Sequence, residues 1–289
     1  LRFLHCSDIH LLDLTGVGMR RFLNKRITGG LNLALRRGRK HDGSLFDRIV
    51  ERGKELGAER LVITGDLTNL SLESEFDHVR ERLDTAGLPV TVIPGNHDAY
   101  TRGAARSSRF EEYLSHHMEG ERAAGTLYPF VQRHGDMAFI GLSTAIPSLP
   151  LYAVGEVGEA QLRELDDVLA KLGDEGIARV VLIHHPPVPG HSHDRHQLLD
   201  LDGFGEVIAR RGAELILHGH EHTKLQGELT GPGDSSVPVH GISSGTARSQ
   251  APGHRAAFSI YEVAPGLVDR IVHVWTGEHF EPLESGEAG

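Results

Sequence analysis

The sequence predicts an α/β layered fold built from two mixed β-sheets flanked by helices. Three observations carry this expectation. Strand-like and helix-periodic segments alternate along most of the chain, a run of strand-like segments closes it, and no solenoid-type repeat interrupts the order.

Each element has a local reason. Arg2–Cys6 is a short apolar strand stopped by Ser7-Asp8, and a basic, apolar segment then runs from Thr15 to Lys40. Ser44 is placed to cap a helix carrying Phe46, Ile49, Val50 and Leu56. Arg60–Thr64 has the pattern of a buried strand and ends at Gly65-Asp66. Ser74–Ala86 is expected to be helical, with Phe76, Val79 and Leu83 on one face. Pro89–Ile93 is the next strand; a proline fits only its start, because it has no N–H for the ladder. Helix is expected after Arg109, strand at Met137–Leu142 and helix at Glu159–Leu172. Arg179–Ile183 is a strand ended by His184-His185-Pro186-Pro187. A helix over Leu201–Arg210 leads into the strand Glu214–Leu217, which stops at His218-Gly219-His220. Val237–Ile242, Ala256–Val263 and Leu267–Trp275 alternate apolar and polar residues and read as antiparallel strands.

Bulk composition bounds the function. With 289 residues, 39% hydrophobic and 24% charged, the chain can bury a real core, and residues 1–289 read as one domain with elaborated loops. The formal charge of −10 argues against nucleic-acid binding over the whole surface. Cys6 is the only cysteine, so no internal disulfide forms, and its place in an apolar run reads as a buried small hydrophobe. No run reaches the roughly 18 apolar residues of a transmembrane helix, which suggests a cytoplasmic protein. The chain begins at Leu1 rather than methionine, which leaves room for upstream residues, a cleaved signal peptide among them. Gly16–Gly18 and Gly29-Gly30 lack the strand and spacing of a nucleotide-binding loop.

Histidine is the outlier, with 20 residues, several in short polar clusters. Five strand-like runs end in such clusters: Asp8-Ile9-His10, Gly65-Asp66-Leu67-Thr68-Asn69, Gly95-Asn96-His97-Asp98, His184-His185 and His218-Gly219-His220-Glu221-His222. Loops at the carboxyl ends of strands in an open α/β sheet meet at one crevice, so residues far apart in sequence can converge. Asp and Asn supply hard oxygen donors and neutral histidine supplies nitrogen, a mixture that suits borderline transition metals better than calcium. The i,i+2 spacing of Asp8 and His10, and of His220 and His222, puts each pair on one side of extended backbone.

In this order the motifs Asp8-x-His10, Gly65-Asp66-x-x-Asn69, Gly95-Asn96-His97-Asp98, His184 and Gly219-His220-x-His222 resemble those of the calcineurin-like metallophosphoesterases, over roughly Leu4 to His222. The resemblance implies a four-layer α/β/β/α fold, with the last strands in the second sheet. It implies two divalent or transition-metal ions, manganese and iron ahead of zinc. Asp8, His10 and His222 would hold one ion, Asn96, His184 and His220 the other, and Asp66 would bridge them. His97 would contact the phosphate or leaving oxygen, and Asp98 would orient His97. His185 and His218 would support the site or pack beside it. The family often has a carboxylate where this chain has Asn69. The implied reaction is in-line hydrolysis by metal-activated hydroxide, without a covalent phospho-enzyme.

Substrate class stays open at this stage. The Gly95-Asn96-His97-Asp98 form is similar to phosphodiesterase members, including bacterial cyclic-nucleotide phosphodiesterases, which puts a phosphodiester first. Residues 15–40 suggest a rival: eight basic residues from Arg20 to Lys40 carry no acid between them, and Met19, Leu23, Ile27, Leu31 and Leu35 form an apolar stripe. Such a basic amphipathic insertion could rest on an anionic membrane at the inner face, as expected of family members that cleave the pyrophosphate of UDP-2,3-diacylglucosamine in lipid A synthesis. Its bland alternative is a capping helix pair with solvated charges. A catalytically inactive binding protein is the remaining class, and it would be expected to have damaged ligands, whereas all seven are intact.

Overall fold

The structure is a computed structural model that describes residues 1–13, 40–99, 108–148 and 151–283. The basic segment expected at 15–40 lies outside the described residues, Lys40 apart. In chain order the elements are β1 (Arg2–Cys6), α1 (Ser44–Glu55), β2 (Arg60–Ile63), α2 (Glu73–Asp84), β3 (Val90–Val92), α3 (Arg109–Leu114), β4 (Phe130–His134), β5 (Met137–Gly141), α4 (Glu159–Asp174), β6 (Ala178–Leu182), α5 (Leu201–Arg211), β7 (Leu215–His218), β8 (Gln226–Thr230), β9 (Ser236–Gly241), β10 (Ala257–Ala264), β11 (Leu267–Trp275) and β12 (Phe280–Pro282).

These strands form two sheets, ordered β12-β11-β10-β1-β2-β3 and β4-β5-β6-β7-β9-β8. β1, β2 and β3 run parallel, as do β5, β6, β7 and β9; the other pairs are antiparallel, so both sheets are mixed. The parallel strands β1–β3 and β5–β7 are buried on both faces, which is why they read as largely apolar runs. In β5, Met137 and Phe139 join the core that also contains Phe3 and Val180, while Ala138 and Ile140 pack with Leu165, Leu169 and Phe204 of α4 and α5. Phe3 of the first sheet meets Phe139 of the second edge-on at 5.0 Å. Phe46 and Ile49 of α1, and Phe76 and Val79 of α2, are part of the first core. The layers are therefore α/β/β/α, as expected. Each such side chain contributes about 1.5–3 kcal/mol by leaving water.

Several local expectations are corrected. Strands β4, β8 and β12 were not anticipated, and each lies at a sheet edge. An edge strand is paired on one side only, so it needs no apolar run; β8 is Gln-Gly-Glu-Leu-Thr and largely open to solvent. β9 pairs antiparallel with β8, the orientation expected of it, but runs parallel to β7 on its other side, and β10–β12 extend the first sheet rather than the second. Ser44 does not cap α1: its backbone N–H donates to Asp42 Oδ1 at 3.1 Å, so Asp42 supplies the acceptor. Among the described residues no helix is long and apolar enough to cross a membrane.

The core also buries imidazoles, and this predicts acid lability. His5 on β1 bonds Thr64 Oγ1 at 2.9 Å, and His240 on β9 bonds the Tyr261 hydroxyl at 3.0 Å. Burial, with Arg270 nearby, holds His5 well below the usual imidazole range and pushes His240 down to about 3. The unfolded chain then binds more protons than the folded one below about pH 6.5. Stability is therefore present above that pH and is lost as pH falls towards the folded values, by about 1.4 kcal/mol per unit for each such group. The thermal midpoint of the metal-free protein should drop steadily between pH 6.5 and 4.5, and less steeply in His240→Gln. A flat midpoint over that window would refute the assignment.

Candidate metal centre

The five polar clusters all leave the carboxyl ends of parallel strands: β1, β2 and β3 in one sheet, β6 and β7 in the other. Their backbones are bent sharply. Asp8, His10, Asp66, His220 and His222 all hold left-handed φ, at 53°, 41°, 52°, 76° and 52°. Side chains other than glycine avoid this region, and each instance costs about 1–3 kcal/mol, so the concentration here marks a site that the surrounding fold enforces. Close approach also demands glycine. A Cβ on Gly95 would overlap the Asp66 carboxylate, and one on Gly219 would overlap Ser7 Oγ and Asp8 Oδ2.

These bends bring the seven expected ligands into one connected group. His222 Nε2 lies 3.3 Å from Asp8 Oδ1 and 3.1 Å from His10 Nε2. His10 Nε2 lies 3.9 Å from Asp66 Oδ2, and the other Asp66 oxygen lies 3.5 Å from His184 Nε2. Asn96 Oδ1 is 3.2 Å from the same His184 nitrogen. The ring of His220 centres 5.1 Å from that of His184, and its backbone N–H donates to Asp8 Oδ2 at 3.0 Å. Asp8, His10, Asp66 and His222 have donor atoms within 4.8 Å of one another.

Hydrogen bonding sets which ring nitrogen faces inward. His184 Nδ1–H donates to the Thr64 carbonyl at 2.7 Å, and His10 Nδ1–H donates to the Thr68 carbonyl at 3.3 Å. In each neutral ring Nε2 then carries a lone pair. His220 is reversed, donating from Nε2 to the His196 carbonyl at 3.0 Å. Burial holds His184 below, and His220 well below, the ordinary imidazole range, so both are neutral near pH 7, the state that ligates metal. Burial works to raise the Asp8 carboxyl, but His222 and the Ser7 hydroxyl outweigh it and keep it ionised. Asp8 Oδ1 is nevertheless buried without a hydrogen-bond donor. A lone pair on His184 facing two oxygens, beside an undonated carboxylate oxygen, is a set of acceptors awaiting a cation.

His97 and Asp98 sit beside this group, and their hydrogen bonds correct the expectation that Asp98 orients His97. His97 N–H donates to Asp66 Oδ1 at 2.8 Å, and its ring meets that of His10 at 5.0 Å. Its Nδ1–H donates to the Asn69 carbonyl at 2.8 Å, so that carbonyl, not Asp98, orients the ring. Asp98 instead accepts from the N–H groups of Leu67, Thr68 and Gly95 and from the Thr68 hydroxyl, pinning the β2 and β3 loops together. Burial pushes its pKa up to about 6 against those bonds.

Asn69 explains its departure from the family pattern. Its side-chain nitrogen donates to the His10 carbonyl at 2.7 Å, a bond that a carboxylate cannot make. Glu75, which sequence reasoning missed, holds this loop by accepting from the N–H groups of Asn69, Leu70 and Leu72. Its position three residues beyond Leu72 was the one available signal. His185 is engaged at both nitrogens, by Thr144 Oγ1 and the Ala153 carbonyl, and His218 Nδ1 meets the Gly219 carbonyl. Among histidines outside the five clusters, the His196 carbonyl accepts from His220, whereas His116 and His117 pair with Asp84 elsewhere.

Residues 1–224 match the family described as calcineurin-like phosphoesterase. The chain belongs to that family. Among the calcineurin-like phosphoesterases it is similar to a probable cyclic nucleotide phosphodiesterase of Psychrobacter sp., 25% identical over 206 residues that cover 70% of this chain and 58% of the relative. It is similar also to a probable glycerophosphodiester phosphodiesterase of Arcobacter nitrofigilis, 29% identical over 172 residues that cover 56% of each. The chain thus spans less than two thirds of the length of these curated relatives. A dimetal phosphatase from Danio rerio superposes with a TM-score of 0.63 over 97% of this chain and 98% of that one, at 16% identity, a likeness of fold alone. Family membership and the clustered donors together fit a site for metal ions.

Proposed function

We propose that the chain hydrolyses a phosphodiester at a centre of two metal ions. The observation that carries this reading is the convergence of Asn96 Oδ1 and Asp66 Oδ1 on His184 Nε2, at 3.2 and 3.5 Å, acceptors that oppose that nitrogen's lone pair unless a cation lies between them. On this reading Asp8, His10 and His222 hold one ion, Asn96, His184 and His220 hold the other, and Asp66 serves both. Manganese and iron suit the mixed oxygen and nitrogen donors, as does zinc. When bound, such ions neutralise phosphoryl oxygens and lower the pKa of an attacking water.

The remaining chemistry belongs to the protein. With Nδ1–H held by Asn69, the His97 ring must carry its second proton on Nε2 to serve the leaving oxygen. An alkoxide leaves poorly without such a proton, which matters more for an alkyl diester than for a phosphoanhydride. Asp66 ties this acid to the centre through the His97 N–H. A diester is supported by the two curated relatives, whose names state cyclic nucleotide and glycerophosphodiester phosphodiesterases. The lipid-pyrophosphate alternative rests on residues 15–40, which, Lys40 apart, lie outside the described residues.

The test is a screen of metal-depleted protein resupplied with manganese, iron or zinc. Substrates are bis-p-nitrophenyl phosphate, cyclic nucleotides, glycerophosphodiesters, monoesters and a lipid-linked pyrophosphate. Metal-dependent turnover greatest on diesters is expected. No bound metal and no turnover with any ion would overturn the assignment, and a preference for the lipid pyrophosphate would replace its substrate.

A further inference from the structure

We propose that His41 is an additional nitrogen ligand of the ion assigned to Asp8, His10 and His222, an inference that rests on the metal reading above. His41 belongs to none of the five clusters, and its sequence surroundings give it no role. The fold nonetheless delivers it to the centre. Its ring centres 4.6 Å from that of His10 and 5.8 Å from that of His222. The three histidines offer ring nitrogens within 4.8 Å of one another, a grouping that can hold a metal ion.

Hydrogen bonding assigns its tautomer. His41 Nδ1 lies 3.0 Å from Thr246 Oγ1 and 3.3 Å from Ser244 Oγ. Both hydroxyl hydrogens are committed elsewhere: Thr246 donates to the Ile9 carbonyl at 2.8 Å and Ser244 to the Asp8 carbonyl at 2.6 Å. The two oxygens can only accept from His41, so Nδ1 carries the hydrogen and Nε2 the lone pair. Ligating histidines are typically held in this way, with the non-ligating N–H donated to an oxygen. His10 and His184 show the same pattern through the carbonyls of Thr68 and Thr64.

The backbone is fixed as well. His41 forms an antiparallel bridge with Ala247, flanked by Asp42 N–H to the Thr246 carbonyl at 2.7 Å and Arg248 N–H to the Lys40 carbonyl at 2.8 Å. The segment after β9 thus clamps His41 and, through the same two hydroxyls, the backbone of Asp8 and Ile9. A merely solvated histidine needs neither a bridge nor two acceptors whose hydrogens are spent on the ligand loop.

The experiment titrates metal-free full chain with Co²⁺ alone, reading the visible absorption of each bound ion, and with Zn²⁺ against a chromophoric chelator. Wild type is compared with His41→Ala, His41→Gln and Thr246→Val, with circular dichroism to check folding. Wild type should bind two ions. His41→Ala and His41→Gln should weaken one of them by at least about 10–100-fold and change its Co²⁺ absorption, leaving the other unaltered. Thr246→Val should shift the same ion in the same direction by less. Two ions bound with wild-type affinity and spectrum in both folded His41 variants would overturn the role of His41 while leaving the metal reading intact. No ion bound to wild type would overturn both.

Discussion

Asp66→Asn is expected to abolish turnover and to remove metal from both positions while leaving the fold intact. The two oxygens of Asp66 face ring nitrogens in different halves of the centre, Oδ2 towards His10 at 3.9 Å and Oδ1 towards His184 at 3.5 Å. Two cations held close together repel, and an anion between them is the group best placed to offset that repulsion. Asparagine keeps the shape and the acceptor for the His97 N–H, which Oδ1 receives at 2.8 Å, but carries no charge. Asp66→Ala also removes that acceptor and should lose thermal stability in addition. The loss of rate should exceed the ~10–100-fold typical of removing an outer partner of a ligand. Metal content by elemental analysis and turnover on bis-p-nitrophenyl phosphate give the two readings. A variant that keeps both ions and its rate would show that Asp66 does not join them.

His97→Ala should do the opposite to metal content. The ring is held from outside the donor group, by the Asn69 carbonyl, so its removal should leave both ions in place. Turnover should fall by about 10²–10⁴-fold on an alkyl diester, the usual scale for a positioned proton donor. With p-nitrophenolate as leaving group the fall should be much smaller, because that oxygen departs without a proton. The comparison across leaving groups matters more than either rate. Equal losses on good and poor leaving groups would mean that His97 binds the phosphate without donating a proton to it. Loss of metal would place His97 in the donor set itself.

The part of the centre legible in the sequence lies in short clusters at strand ends, Asp66 and His184 included. Asp8 with His10, Asn96 with His97, and His220 with His222 each announce themselves, because a ligand loop at a strand end compresses its donors into a few positions. The parallel strands were legible for a related reason: burial on both faces favours apolar residues. What escaped lay at edges and across gaps. Strands β4, β8 and β12 are paired on one side and carry a weak apolar signal. Glu75 acts on backbone N–H groups that no side-chain pattern reveals. The expected pairing of Asp98 with His97 was wrong because neighbours in sequence diverge at a bend; Asp98 turns back to the loop of Leu67 and Thr68.

Chemical identity was thus settled by the chain alone: which donors exist, in what order, and that they leave strand ends. Arrangement was settled only by tertiary structure. It decided that Asn69 rather than Asp98 aims His97, that His184 presents Nε2 and His220 presents Nδ1, and that His41 arrives beside His10. The reason is physical. A motif records short-range spacing, whereas a ring's tautomer and direction depend on carbonyls and hydroxyls supplied by other loops, up to 205 residues away for His41 and Thr246.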